Sequence, residues 1–75
     1  MKRMEIKLRT INEAMDFVTK IADCPAHIDL AYGRCVVDAK SIMGVLSVAV
    51  GKKVTLLFHD EEAYRLEEKI GEYIA

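Results

Sequence analysis

Ser41 heads the stretch "SIMGVLSV", where the extended run "VVDA" gives way to helical spacing. A serine there caps a helix, its oxygen accepting a backbone amide. The same geometry suits a second role, because free amides and the helix dipole favour a phosphate, and Ser41 is therefore a candidate phosphorylation site. Ile42, Met43, Val45 and Leu46 follow at once, too many apolar residues for an ordinary surface turn. Ile42, Met43, Leu46 and Ser47 form a candidate docking patch, with Gly44 allowing close approach and methionine adapting to several partners. Charge added at Ser41 would make that patch repel an acidic or greasy partner. Plain core packing of Ile42, Met43 and Leu46 is the competing reading.

The other reactive side chains carry less. His27 opens a strand-like segment and His59 closes another. Neither has a carboxylate and a serine beside it in the sequence arranged as a nucleophilic relay. Cys24 and Cys35 lack a CxxC spacing and read as small apolar residues in a reducing compartment. Together with the histidines they match no zinc pattern, so neither metal nor cofactor is expected. "GVLSVAVGKK" fails as a phosphate loop, since its glycines are too far apart and no serine or threonine follows the first lysine. Asp60, Glu61 and Glu62 suit the start of a helix better than a pair of catalytic carboxylates.

These residues sit in 75 positions, enough for one domain spanning 1–75 and near the lower limit for a core without staples. The net charge of -1, with no basic run, argues against nucleic acid or an anionic membrane as partner. No apolar segment approaches a membrane span and the amino end lacks a signal-peptide run, which together predict a cytoplasmic protein.

Periodicity supplies the scaffold. "RMEIKLR" alternates Met4, Ile6 and Leu8 against charge, a strand with one buried face. Thr10 or Asn12 caps a helix whose apolar positions are Ile11, Ala14, Met15, Val18, Ile21 and Ala22, and Pro25 marks the loop beyond it. "HIDLAY" and "RCVVD" form a hairpin through Gly33, with Ile28, Leu30 and Tyr32 on one face. Gly51 ends the middle helix, and Val54, Leu56 and Phe58 alternate in the next strand. Asp60 caps a last helix with Ala63, Leu66, Ile70 and Ile74 on one stripe and Tyr73 beside it. The order βαββαβα predicts an α+β open-faced sandwich, a four-stranded antiparallel sheet covered by helices on one side.

That order, together with "DAKSIMGVLSVAV", resembles HPr, the histidine-containing phosphocarrier of the bacterial sugar phosphotransferase system. The resemblance runs without an obvious gap from Ala14 to Val50, and "AKSIMGVLS" is close to the family's regulatory-serine signature. It implies phosphoryl transfer from a phosphoenolpyruvate-dependent kinase to sugar-transport proteins, through a histidine just before the first helix. A nearby arginine and that helix's amide end steady the phosphate. In Gram-positive members an ATP-dependent kinase phosphorylates the serine before the middle helix, which controls carbon catabolite regulation.

On this match Ser41 takes the regulatory position and Ile42, Met43 and Leu46 the docking helix. The family histidine falls on Thr10, the arginine on Asn12 and the following proline on Glu13, and the "GxHxRP" loop is missing. A threonine hydroxyl cannot form the labile phosphoramidate that such a relay passes on. The resemblance therefore implies a non-enzymatic regulatory or adaptor module without phosphohistidine transfer. Its partners would be phosphotransferase-system proteins or a transcription regulator, with a serine kinase acting at Ser41. A phosphocarrier with an unrecognised acceptor, and a structural domain dimerising through the middle helix, are the alternatives.

Overall fold

The structure is a computed structural model that describes residues 2–59, 61 and 63–75. Strand β1 (Lys2–Lys7) leads to helix α1 (Ile11–Ile21), and β2 (Asp29–Tyr32) and β3 (Cys35–Asp38) form a hairpin. Helix α2 (Ile42–Val48), strand β4 (Lys53–Phe58) and helix α3 (Ala63–Ile70) follow, and a 3-10 turn at Gly71–Tyr73 ends the series. The strands lie in the order β1-β4-β2-β3, every pair antiparallel. This is the open-faced α+β sandwich that the sequence predicts.

Alternation sets the sheet's two faces. Ile6, Leu30, Val54, Leu56 and Phe58 are buried beneath the helices with Leu8. Arg3, Glu5, Lys7 and Lys53 point the other way and are exposed. Gly33, at φ +60°, opens the two-residue turn between the partners Tyr32 and Cys35, a conformation that costs glycine nothing. Tyr32 departs from the expected buried face. It lies at the hairpin end, exposed, with the Lys52 ammonium 5.0 Å from its ring centre.

On α1 the stripe that meets the sheet is Ala14, Phe17 and Ile21, with Val18 at its flank. Ile11 and Met15, expected on that face, are 59% and 51% exposed, and Ala22 is exposed too. A helix on so small a sheet touches it along a narrow line. The bulkiest ring takes that line, and the flanking apolar residues are left in water.

Helix α3 buries Leu66 and Ile70 but stops there. The 3-10 turn swings Tyr73 into the core, so Ile74 leaves the helical stripe and instead bridges Ile6 at the edge of β1. The amide of Ala75 extends this contact by donating to the Glu5 carbonyl at 2.9 Å. The expected cap Asp60 and its neighbour Glu62 lie outside the described residues, as does the burial of Ala63.

Polar contacts fasten the ends. The Tyr73 hydroxyl donates to Asp16 at 2.5 Å, and Lys20 reaches both Asp16, at 3.1 Å, and Glu72. Lys69 pairs with Asp23 at 2.7 Å. Cys24 is buried and Cys35 exposed, and no disulfide joins them. Among the described residues no helix is long and apolar enough to cross a membrane.

Candidate functional site

Helix α2 begins where β3 ends. The backbone carbonyl of Asp38 accepts the amide of Ser41 at 3.0 Å, and its Oδ1 accepts the amide of Lys40 at 2.9 Å, closing a tight turn. Ser41 then caps the helix: its Oγ accepts the Gly44 amide at 3.3 Å and its carbonyl the Val45 amide at 2.9 Å. The hydroxyl is half-buried.

The apolar residues behind it divide sharply. Val45 is fully buried, whereas Met43 is 78% exposed, more than any other large apolar side chain described. Ser47 is exposed one turn on from Met43, and its hydroxyl donates to the Gly44 carbonyl at 2.7 Å. Ile42 is half-buried, and Leu46, also half-buried, packs against the core. The four docking candidates thus separate into an outward pair, Met43 and Ser47, and a pair shared with the interior.

Gly44 also differs from expectation. A Cβ at this position would stand 3.1 Å from Cβ of Val37, so its close approach is to β3 within the fold, not to a partner.

Sequence reasoning missed Ile11 and Met15. Helix α1 packs against α2, and two of its apolar residues, Ile11 and Met15, are exposed as Met43 is. Their helical spacing made them look like core. Only the placement of Phe17 reveals which way they turn.

The start of α1 is closed by its own side chains. Thr10 is the cap, its Oγ1 accepting the Glu13 amide at 3.1 Å, and Glu13 Oε1 accepts the Arg9 amide at 2.8 Å. This is a capping box shifted by one residue, and it puts a carboxylate where the helix dipole favours negative charge. The Arg9 guanidinium stands 3.9 Å from the same oxygen.

Both histidines lie at the other end of the sheet. Asp29 is in register with Leu57, and Leu57 with Arg3, whereas the chain reaches Thr10 after Lys7, which pairs with Lys53 at the opposite end. His59 follows Phe58, the partner of Lys2, and is exposed. The side chain of His27 is 68% exposed, with Nε2 2.6 Å from Asp29 Oδ1, a carboxylate contact that the strand-opening reading did not anticipate. Among the described residues no hydrogen bond joins either imidazole to Ser41, and no group of three or more His, Cys, Asp or Glu could hold a metal ion. An open cleft between β1 and the carboxyl-terminal segment is lined by Met4, Phe58 and Ile74 together with the charged residues Lys2, Arg3, Glu5 and Glu67.

An open-faced sandwich of this strand order, with a serine capping α2, is the architecture of the HPr phosphocarriers. The family model described as "PTS HPr component phosphorylation site" matches residues 9–75, and the chain belongs to that family. The crystal structure of HPr-C-His from Thermoanaerobacter tengcongensis is similar, with 26% identity and a TM-score of 0.75 over 96% of this chain and 89% of that one. The phosphocarrier protein HPr from Bacillus anthracis shares the fold, with 22% identity and a TM-score of 0.74 over 99% of this chain and 96% of that one. No curated protein sequence matches the chain. The fold is thus that of the HPr phosphocarriers of the phosphotransferase system, proteins that carry phosphoryl groups and are not themselves catalysts.

Proposed function

We propose that this chain acts as a single HPr-like regulatory or adaptor module in the cytoplasm. It docks proteins of the phosphotransferase system, or a transcription regulator, through the helix that starts at Ser41, and it is not an enzyme. Phosphohistidine transfer is not part of its role. The observation that carries this reading is the contrast between the two helix starts. At α2 a capping hydroxyl adjoins an exposed methionine, while at α1 the Thr10 hydroxyl and the Glu13 carboxylate take up the free amides of the helix start.

Exposure of Met43 on α2, and of Met15 and Ile11 on the neighbouring α1, supports docking, because exposed apolar side chains with adaptable thioethers suit a protein surface. Ser41 has the cap position in which added phosphate would alter that surface. Incubation with the family's ATP-dependent serine kinase tests the switch: label should enter wild type and be absent from Ser41→Ala. Equal absence from both would refute the switch.

One observation favours the alternative of a working carrier. His27 is exposed and its carboxylate partner Asp29 would orient the ring, leaving Nδ1 free of that contact. Label appearing on His27 from phosphoenolpyruvate would decide for it.

A further inference from the structure

Between the end of β3 and the Ser41 cap stands Lys40, whose half-buried side chain turns away from the docking helix. Its ammonium donates to the carbonyl of Cys24 and, at 2.7 Å, to that of Ala26, both in the loop 22–28 that links α1 to β2. The backbone closes the same seam, because the Ala39 amide donates to the Ile28 carbonyl at 2.9 Å. Within the loop the Cys24 amide donates to the Ile21 carbonyl at 3.1 Å, so the last turn of α1 runs directly into the segment that Lys40 holds. A cation at the carboxyl end of a helix also meets the negative end of its dipole.

We propose that Lys40 is a positioning residue that latches the 22–28 loop to the docking helix, and that phosphoserine at position 41 opens this latch by taking its ammonium. The proposal rests on the reading of Ser41 as a switch and adds what the switch moves. Forming the phosphoserine joins Ser41 Oγ to the γ-phosphorus of ATP, breaks the bond to the β–γ bridging oxygen, and releases ADP and the hydroxyl proton. The product bears close to two negative charges and three acceptor oxygens on the residue next to Lys40. Lysine's flexible stem leaves its ammonium able to redirect toward a neighbouring residue. A hydrogen bond between two charged groups is stronger than one to a neutral carbonyl, so the phosphate outcompetes Cys24 and Ala26. Their carbonyls then turn to water, and the loop bearing His27 loosens while the sheet stays intact.

The test is amide hydrogen exchange on the full chain with phosphoserine installed at position 41 during synthesis, so that its result depends on neither a kinase nor a docking partner. Protection at Cys24 and Ala39 should fall on the order of tenfold relative to the unmodified chain, the effect of losing about one buried hydrogen bond. Lys40→Met should show the same loss without phosphate, and phosphoserine should add nothing to it. Unchanged protection in the phosphorylated wild type, or an equal further loss in Lys40→Met, overturns the latch. Should Lys40→Met fail to fold, the Lys40 ammonium resonance decides on wild type alone: coupling to phosphorus supports the proposal and its absence refutes it. A chain that no serine kinase phosphorylates would instead count against the regulatory reading and leave this exchange result as it stands.

Discussion

Glu13 folds back over the start of α1 so that its Oε1 accepts the amide of Arg9 at 2.8 Å, while its own amide donates to Thr10. A carboxylate held in this place repels an incoming phosphoryl group, and the helix start is satisfied without one. Thr10→His alone should therefore accept label poorly from the phosphoenolpyruvate-dependent kinase. Thr10→His combined with Asn12→Arg and Glu13→Pro should accept it at least about tenfold faster, a barrier difference of about 1.4 kcal/mol. Equal rates would mean that Glu13 does not guard the site.

Within α2 stability and docking should separate. Met43→Asp replaces an exposed side chain and should change unfolding free energy by less than about 0.5 kcal/mol, while abolishing partner binding. Val45→Ala empties a buried site and should cost roughly 1–3 kcal/mol with binding per folded molecule retained. Denaturant titration beside a binding assay checks both.

Helix α1 offers a sharp test of its own rotation. Phe17→Ala should destabilise by about 3–5 kcal/mol, enough to unfold a domain of this size, while Met15→Ala should cost under about 1 kcal/mol. Thermal melts of the two variants distinguish this rotation from one that buries Met15.

The cluster joining α1 to the carboxyl-terminal turn sets a pH window. The Tyr73 hydroxyl, and after it Lys20, hold the Asp16 carboxyl below its ordinary value. That stabilisation is present above the unfolded pKa of about 4 and is lost as pH falls through the lower folded value. Burial, and then the bond to Asp16, push Tyr73 up, and Lys20 is raised by Glu72 and then Asp16. Their contributions are complete below about pH 10 and fade as pH rises through the folded values. The melting temperature should therefore decline at both extremes, and Tyr73→Phe should flatten both limbs, most visibly the alkaline one.

Much of the fold was legible because its rules are local. Alternation at Ile6 and Leu8 and at Val54, Leu56 and Phe58 names the buried face directly, and Gly33 and Gly51, both at positive φ, mark turns that few other residues tolerate. The rotation of α1 was not, since Met15 and Phe17 are equally apolar and only the width of the sheet selects between them. Helix α2 hid its faces for a related reason. It has two turns with apolar residues all round, and the approach of Gly44 to Val37 decides that Val45 faces in and Met43 out. The serine cap could be read from type and position alone. Contacts between distant segments, such as Lys40 with the 22–28 loop or Tyr73 with Asp16, leave no periodic trace in the sequence.

The most direct measurement of the central claim is acid-labile label on the wild-type chain after incubation with labelled phosphoenolpyruvate and the first kinase of the phosphotransferase system. The account predicts none, because no imidazole stands at the start of α1 and both histidines lie at the far end of the sheet. Stoichiometric acid-labile label on His27 or His59 would contradict it.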